Sequence, residues 1–263
     1  MFSKGFTVFL RYQKRLRARA ASLLLTLEGR LDRIMQMWLL FAGLACGARI
    51  GFSTMSAPAD AATIAPYFMV ILAPFASMVL ALRWFANGDR QPQPQMRFAR
   101  LSKWRAVDRL EAMRQPLFGA GGIMVSLLVG MLLNVPVRVA EYLVAMPALA
   151  GPVPSWLSTL HVLMTLDVVI FTSLYTIAFV AALRRVPLFP RLLGTIWICD
   201  VAMQMLTAQL VSHAPGLPQP VGVALHGLLD GNVKKVLISV ALWLPYLLLS
   251  KRVNVTFRHR VPA

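Results

Sequence analysis

Ionisable side chains interrupt several long apolar stretches of this sequence, and they are the residues that could do chemistry. Asp167 and Asp200 each lie inside such a stretch, and Arg49 and Arg138 are the cations available to pair with them. A charge at the centre of a bilayer costs about 3 kcal/mol on insertion scales, so it must face the protein interior or water. We therefore expect a cation or a proton to neutralise both carboxylates.

Further polar residues share helical faces with these charges. Asp200, Gln204 and Thr207 follow one another at steps of four and three residues, which places them on one face of a helix. The complete candidate set is Asp167, Asp200, Gln204, Thr207, Asn134, Arg138, Glu141 and His161. Two interpretations fit this set. It forms a hydrogen-bond network that holds helices in register, or it lines a polar cavity that opens outward and holds a small polar ligand or relays protons.

The sequence contains no signature of a familiar enzyme. It lacks a Gly-x-Ser-x-Gly motif, a His-Glu-x-x-His motif, a phosphate-binding glycine loop and a Cys-x-x-Cys pair. Cys46 and Cys199 fall inside apolar stretches, where a thiol behaves as a small hydrophobe. Haem ligation by His161 with His213 or His226 is an alternative for the histidines. We predict no catalytic residues, no metal and no cofactor.

The composition indicates a membrane protein. Of the 263 residues, 58% are hydrophobic and 14% charged, which lies outside the usual range of soluble domains. A helix needs about 20 apolar residues to cross a bilayer, and its backbone must satisfy its own hydrogen bonds there. We therefore predict an all-α bundle of six transmembrane helices without strands. The expected spans are residues 34–56, 63–84, 116–134, 156–183, 191–212 and 233–250.

The distribution of basic residues predicts the orientation in the membrane. A net charge of +17 could indicate a nucleic-acid partner. However, all Lys and Arg residues except four fall in residues 1–33, 83–115, 184–191 and 251–260. If six helices alternate, these segments lie on one side, and the positive-inside rule places both termini in the cytoplasm. The sequence thus predicts a multi-pass protein of the bacterial inner membrane and no nucleic-acid partner.

Four regions follow from this map. Residues 1–33 read as a basic amphipathic helix on the cytoplasmic leaflet, where anionic lipids attract it; a solvated helix that packs on the protein is the alternative. Residues 34–84 form a two-helix transmembrane hairpin. Residues 85–115 form a basic cytoplasmic loop, in which residues 96–116 are expected to be helical, and residues 116–263 form a four-helix membrane domain. No cleavable signal peptide is visible.

Small residues recur at helical spacing on two of the predicted spans. Gly122, Ser126 and Gly130 follow one another at steps of four, and Gly43, Gly47 and Gly51 do the same on the first span. Flat faces of this kind let a neighbouring helix approach closely in lipid. We predict that both rows are helix-packing faces.

The segment LWLPYLLLSKRVNVTF, residues 242–257, resembles the C-terminal signature of a bacterial membrane-protein family known as domain of unknown function 2569. Residues 119–136 and 184–200 are similar to two other helices of that family. The resemblance covers residues 115–260 and implies a four-helix membrane domain, but no activity. The signature residues are Trp243, Pro245, Tyr246, Ser250, Arg252, Val253, Thr256 and Phe257.

The same segment predicts how the last helix ends. Pro245 removes a backbone donor and can kink the helix, and Ser250, Lys251 and Arg252 are expected at the cytoplasmic interface, where cations meet lipid phosphate. A cytoplasmic tail that binds a partner is the alternative to this anchor. The basic pair at residues 234 and 235 either reaches the headgroups or pairs with nearby acids.

Two functions remain open at this stage. A non-enzymatic accessory or scaffold protein would bind another membrane protein, or a second copy of itself, through its small-residue faces. This is favoured because six helices are few for a transporter and no internal repeat is visible. The alternative is a small transporter or small-molecule-binding membrane protein that uses Asp167, Asp200, Arg138 and Glu141. A cavity touching both carboxylates would favour the alternative, and a solid interior would exclude it.

Overall fold

The computed structural model of the protein describes residues 15, 18–54, 61–95, 104–149, 151 and 153–263. It confirms an all-α bundle with six helices that are long and apolar enough to cross a membrane. These are α1 (Leu31–Thr54), α2 (Ala61–Trp84), α4 (Met124–Ala145), α5 (Ser155–Leu183), α6 (Phe189–Ser212) and α7 (Gln219–Leu249). The shorter elements are β1 (Trp104–Ala106), α3 (Arg109–Met113), α8 (Lys251–Arg258) and β2 (Arg260–Pro262).

Helix α5 is the centre of the bundle. It packs against α2, α4 and α6, while α1 packs on α2 and α4, and α7 packs on α6. Of the six long helices, α5 is the most buried, and α1 and α7 are the least. The apolar side chains that α1 and α7 leave exposed are those that the hydrocarbon would cover.

Two of the expected spans have wrong boundaries. The third was predicted at 116–134, but α4 begins at Met124 and continues through Pro136 to Ala145. Neighbouring helices and local adjustment let a transmembrane helix tolerate a proline, so Pro136 does not end it. The sixth was predicted at 233–250, but α7 begins at Gln219. Both corrections place ionisable residues, Arg138 among them, inside membrane-spanning helices.

The prediction that strands are absent is wrong at one place. β1 and β2 pair antiparallel, with Trp104 opposite Pro262 and Ala106 opposite Arg260. The helix expected over residues 96–116 is also corrected: residues 96–103 lie outside the described residues, residues 104–106 are β1, and only Arg109–Met113 is helical. Both strands lie outside the six long helices, where water can satisfy their open edges.

Three of the four basic segments meet at one end of the bundle, which we name the basic end. The β1–β2 pair joins the segment 83–115 to the C-terminal segment. Gly88 lies against the loop 184–191, because a Cβ at Gly88 would stand 2.7 Å from the Arg184 carbonyl oxygen. Arg109 Nη2 donates to Asp89 Oδ2 at 2.6 Å, which joins α3 to the loop after α2.

The predicted surface helix over residues 1–33 is only partly described. Residues 1–14, 16 and 17 lie outside the described residues; 18–29 are helical, and Leu31 is buried in the core. Leu23 and Leu25 are exposed. Its position on the cytoplasmic leaflet stays a prediction.

At the end opposite the basic end, hydrogen bonds join α1 and α2 to the loop after α4. Arg49 of α1 donates through Nη2 at 2.9 Å and through Nε at 3.2 Å to the Met146 carbonyl. Thr63 of α2 donates to the Leu149 carbonyl at 2.6 Å. A cation at the carbonyl end of a helix is favourable, so Arg49 stabilises the end of α4.

The rows of small residues do not pack within the described part of the chain. Gly122 lies in the turn before α4, with φ of +65°, and so does not belong to a helical row. Ser126 and Gly130 are exposed on α4, and no described atom lies within 4 Å of a Cβ built on Gly130. The same open space surrounds the three glycines of α1, which are Gly43, Gly47 and Gly51.

Candidate functional site: a buried charge network beside a cavity

Arg138 of α4 and Asp200 of α6 form the closest ion pair of the bundle interior. Arg138 Nη2 donates to Asp200 Oδ1 at 2.7 Å, and the Tyr175 hydroxyl of α5 donates to Asp200 Oδ2 at 3.2 Å. Asp200 is 1% exposed. Both carboxylate oxygens therefore have a donor, which is what a buried charge requires.

Asp167 of α5 has weaker partners. Its Oδ1 accepts a hydrogen bond from Gln204 Nε2 at 2.8 Å. Its Oδ2 lies 3.6 Å from Arg138 Nη1, which is an ion-pair distance but too long for a hydrogen bond. Gln204 Oε1 in turn accepts from Asn232 Nδ2 of α7 at 3.3 Å. The whole set, named here the Arg138 network, is Arg138, Asp167, Tyr175, Asp200, Gln204 and Asn232.

The Arg138 network joins four helices around one guanidinium. The Phe171 ring of α5 lies 4.8 Å from Arg138 Cζ, so the cation also has an aromatic face beneath it. Removing charges from water is costly, and only well-placed opposite charges and donors repay that cost. Arg138 faces both Asp167 and Asp200, so a single cation serves two carboxylates.

The depth of the network follows from the helical rise of about 1.5 Å per residue. Counted from the basic end, Asp200 lies about 16 Å along α6, Asp167 about 24 Å along α5, and Asn232 about 26 Å along α7. The hydrocarbon core is about 30 Å thick. The network therefore runs from the middle of the bundle toward the end opposite the basic end.

A cavity of about 540 Å³ adjoins the network between α4, α5 and α7. Gly227 and Gly231 of α7 line it without filling it. From the sequence, a cavity touching both carboxylates would favour a transporter or ligand-binding protein. This cavity borders Asp167 but not Asp200, so it fulfils that condition for one carboxylate only. Its polar lining consists of Arg138, Glu141, Tyr142, Asp167, Asn232 and Lys235.

Two ion pairs lie on the outer side of this cavity. Lys235 of α7 pairs with Glu141 of α4, and about half of each side chain is exposed. Lys234 pairs with Asp230 at 2.6 Å on the exposed side of α7. Glu141 is thus not part of the Arg138 network. Both lysines of α7 pair with nearby acids, which is one of the two alternatives predicted from the sequence.

The remaining candidate residues lie nearby but are not bonded to the network. His161 is buried, with Nε2 3.4 Å from the Tyr142 hydroxyl, which also bonds Thr165 Oγ1 at 2.8 Å. Thr207 is buried on α6. Asn134 Oδ1 is buried and has no hydrogen-bond partner among the described residues. For the haem alternative, His213 is exposed and lies 2.7 Å from the Gln209 carbonyl oxygen.

Tyr175 and Asn232 belong to the network but were missed at the level of sequence. Asn232 was excluded because the sixth span was drawn from residue 233, one residue too late to include it. Tyr175 is an aromatic residue in an apolar stretch, and nothing in its spacing indicates that it reaches a carboxylate on another helix.

The family-like signature residues form the basic end rather than the cavity. The chain leaves the helical conformation at Ser250, between α7 and α8. Thr256 Oγ1 accepts from the Gly119 amide at 3.0 Å, and Arg252 Nη1 donates to the Gly119 carbonyl at 3.2 Å. Val253, Thr256 and Phe257 are buried. These residues therefore belong to a packed joint, and Arg252 bonds a backbone carbonyl. The lipid anchor and the partner-binding tail both stay predictions.

Aromatic contacts complete this end. The Trp243 and Tyr246 rings meet edge-on with centroids 6.0 Å apart, on either side of Pro245 in the sequence of α7. The Phe257 ring lies 5.1 Å from the Phe189 ring at the start of α6. α8 therefore closes the basic end by packing between α6 and the glycine turn before α4.

A buried cation also helps to hold α8. Arg258 Nη1 donates to the Leu247 carbonyl at 2.9 Å and to Asn254 Oδ1 at 3.2 Å. Burial, together with the positive charges of Arg260 and Arg191, lowers the pKa of the Arg258 guanidinium to about 10. The side chain thus stays charged at neutral pH, and the two acceptors compensate its lost hydration.

No family model, no curated protein and no solved structure matches the chain.

Proposed function

We propose that this protein binds a small polar solute inside the membrane, in the cavity between α4, α5 and α7. The observation that carries the proposal is the cavity itself, because Arg138, Asp167 and Lys235 all border an open volume at a depth where side chains are normally apolar. Ionisable groups at that depth pair with one another or face a water-filled cavity, and these do both. A cavity of about 540 Å³ has room for a small molecule with some water.

The proposal includes an orientation. The positive-inside rule supports a bacterial inner membrane with the basic end in the cytoplasm. Arg114, Arg184 and Lys251 are exposed at that end, where anionic lipid headgroups would meet them. The cavity then lies in the outer half of the bilayer, which supports access from the outer side.

Cysteine accessibility tests the proposal. In a background with Cys46→Ala and Cys199→Ala, Gly231→Cys places a thiol in the cavity wall, where a Cβ meets no described atom within 4 Å. Met205→Cys is the matched control, because Met205 is 65% exposed on the outside of α6 at similar depth. A charged thiosulfonate reacts with thiolates, and a thiol in hydrocarbon stays protonated. We expect the cavity thiol to react at least about tenfold faster than the control; equal, slow rates would contradict the proposal.

A second function is supported by a different observation. Ser126 and Gly130 of α4 are exposed and uncovered within the described residues. Small residues of this kind allow another helix to approach closely, so a membrane partner or a second copy could pack there. An accessory or scaffold role would follow. Gly130→Leu would then abolish a complex isolated from native membranes, whereas the same change at the buried-cavity position Gly231 would leave it intact.

Membership of domain of unknown function 2569 is part of the proposal. It is supported by the sequence signature and by the concentration of the signature residues at one structural joint, from Trp243 to Phe257. This family resemblance implies no activity.

A further inference from the structure

The Arg138 network carries an unbalanced charge. Arg138 contributes one positive charge, and Asp167 and Asp200 would contribute two negative charges if both were ionised. The other charges facing the cavity are Lys235 of α7 and Glu141 of α4, and these neutralise each other. A net negative charge buried beside Phe171 is costly unless a cation or proton joins it.

The geometry distinguishes the two carboxylates. Asp200 has a donor on each oxygen and does not border the cavity. Asp167 Oδ2 has no hydrogen bond within the described residues, lies 3.6 Å from Arg138 Nη1, and belongs to the side chain that borders the cavity. Asp200 is therefore the stable counter-ion of Arg138, and the excess charge falls on Asp167.

A proton fits this position better than a metal ion. Cations such as Ca²⁺ or Mg²⁺ need about six oxygen ligands. Around Asp167 Oδ2, the Gln204 amide oxygen already accepts from Asn232, and the nearest side chain is the cationic Arg138. No group of three or more His, Cys, Asp or Glu residues in the described ranges could hold a metal ion.

We propose that Asp167 binds an exchangeable proton taken from water in the cavity, while Asp200 stays ionised against Arg138. The proton passes from a hydronium ion to Asp167 Oδ2 and leaves a water molecule behind, so the network becomes electrically neutral. Loss of the proton restores one negative charge at the cavity wall. This inference rests on the proposed function, since it requires the cavity to be open to water.

Labelling with dicyclohexylcarbodiimide tests the inference. This apolar reagent enters membranes and reacts with protonated carboxylic acids: the acid gives its proton to one carbodiimide nitrogen, and its oxygen bonds the central carbon. The adduct keeps every atom of the reagent, so peptide mass spectrometry locates it. In the wild-type protein, we expect an adduct at Asp167 and none at Asp200, with labelling that falls about tenfold for each pH unit above its midpoint.

Two variants sharpen the experiment. Asp167→Asn abolishes the adduct. Asp200→Asn leaves one carboxylate for Arg138, so Asp167 should become its ionised partner and lose most of its labelling. No adduct at Asp167 at any pH, labelling that does not change with pH, or unchanged labelling in Asp200→Asn would overturn the inference. Suppression by sodium at constant pH would also overturn it, by showing that a metal ion takes the position.

The inference and the proposed function can fail separately. A reactive thiol in Gly231→Cys with an unlabelled Asp167 would remove the proton alone. An unreactive thiol with a labelled Asp167 would remove solute binding alone, because the proton needs only a water molecule beside Asp167 and not a cavity that admits a charged reagent. If Asp200→Asn does not fold, the pH series on the wild-type protein still decides the question.

Discussion

Arg138 is the cation that lies beside both buried carboxylates, at 2.7 Å from Asp200 and 3.6 Å from Asp167. The spacing of Asp200 and Gln204 indicated a shared face, and the cost of burying a charge indicated that Asp167 and Asp200 need a partner. Which cation would serve both could not be predicted, since sequence does not fix which helices are neighbours. Asn232 was not identified, because the predicted sixth span begins one residue after it.

Removing Arg138 should be strongly destabilising. Arg138→Gln leaves the ionised Asp200 without its cation in the interior, and breaking a buried pair costs about 3–5 kcal/mol. The matched control is Arg105→Gln, which breaks the exposed pair with Glu111 outside the long helices, a pair worth about 0–1 kcal/mol. Thermal unfolding in detergent measures both, and a similar loss for the two variants would contradict the role given to Arg138.

The losses of protein stability in the aspartate variants give a second prediction. Asp200→Asn keeps the shape of the side chain and leaves Arg138 with Asp167, so it should cost less than Arg138→Gln. The double variant Asp167→Asn with Asp200→Asn leaves Arg138 unpaired and should cost more than the sum of the two single changes. Additive losses in thermal unfolding would show that the two carboxylates do not share the cation.

At the scale of elements, α8 and the glycine turn before α4 form one joint. Apolar length predicted that six helices exist, but it misplaced the start of α4, because the run from residue 116 is apolar and glycine-rich without being helical before Met124. It also misplaced the start of α7, because His226, Asp230 and Asn232 interrupt the apolar run before residue 233. The fold of α8 back onto Gly119 could not be predicted, since it depends on a contact across more than a hundred residues.

Gly122 tests this joint. Its φ of +65° strains any residue with a Cβ, and a Cβ there would meet Arg252 Nε at 3.5 Å. Gly122→Ala should therefore lower stability by about 1–2 kcal/mol. Gly130→Ala is the control, because Gly130 is helical with open space around it, and alanine favours helix by about 1 kcal/mol. Equal effects on thermal unfolding would contradict the described turn.

At the scale of the whole molecule, the β1–β2 pair fixes which segments share an end. Arg105 lies opposite Val261 in the register, so cysteines at these positions should form a disulfide on mild oxidation. Cysteines at Trp104 and Val261 point to opposite faces of the sheet and should not. Gel mobility under non-reducing conditions reads both pairs, and cross-linking of the second pair alone would show a different register.

The number of helices long enough to cross a bilayer was predictable, because hydrocarbon thickness fixes helix length. The strands were not, since three residues are too few to show a period. The described parts of residues 83–115, 184–191 and 251–260 lie at one end of the bundle, as the alternation of six helices predicts, and the side of the membrane that this end faces stays a prediction.

The central claim is that six helices cross the bilayer and leave the basic end in the cytoplasm, and sided thiol labelling tests it most directly. Single cysteines at His213, which is exposed at the far end, and at Arg105 in β1 report the two sides. In intact cells, an impermeant maleimide should label His213→Cys, and should label Arg105→Cys only after the membrane is opened. Labelling of both positions from the same side would contradict the account.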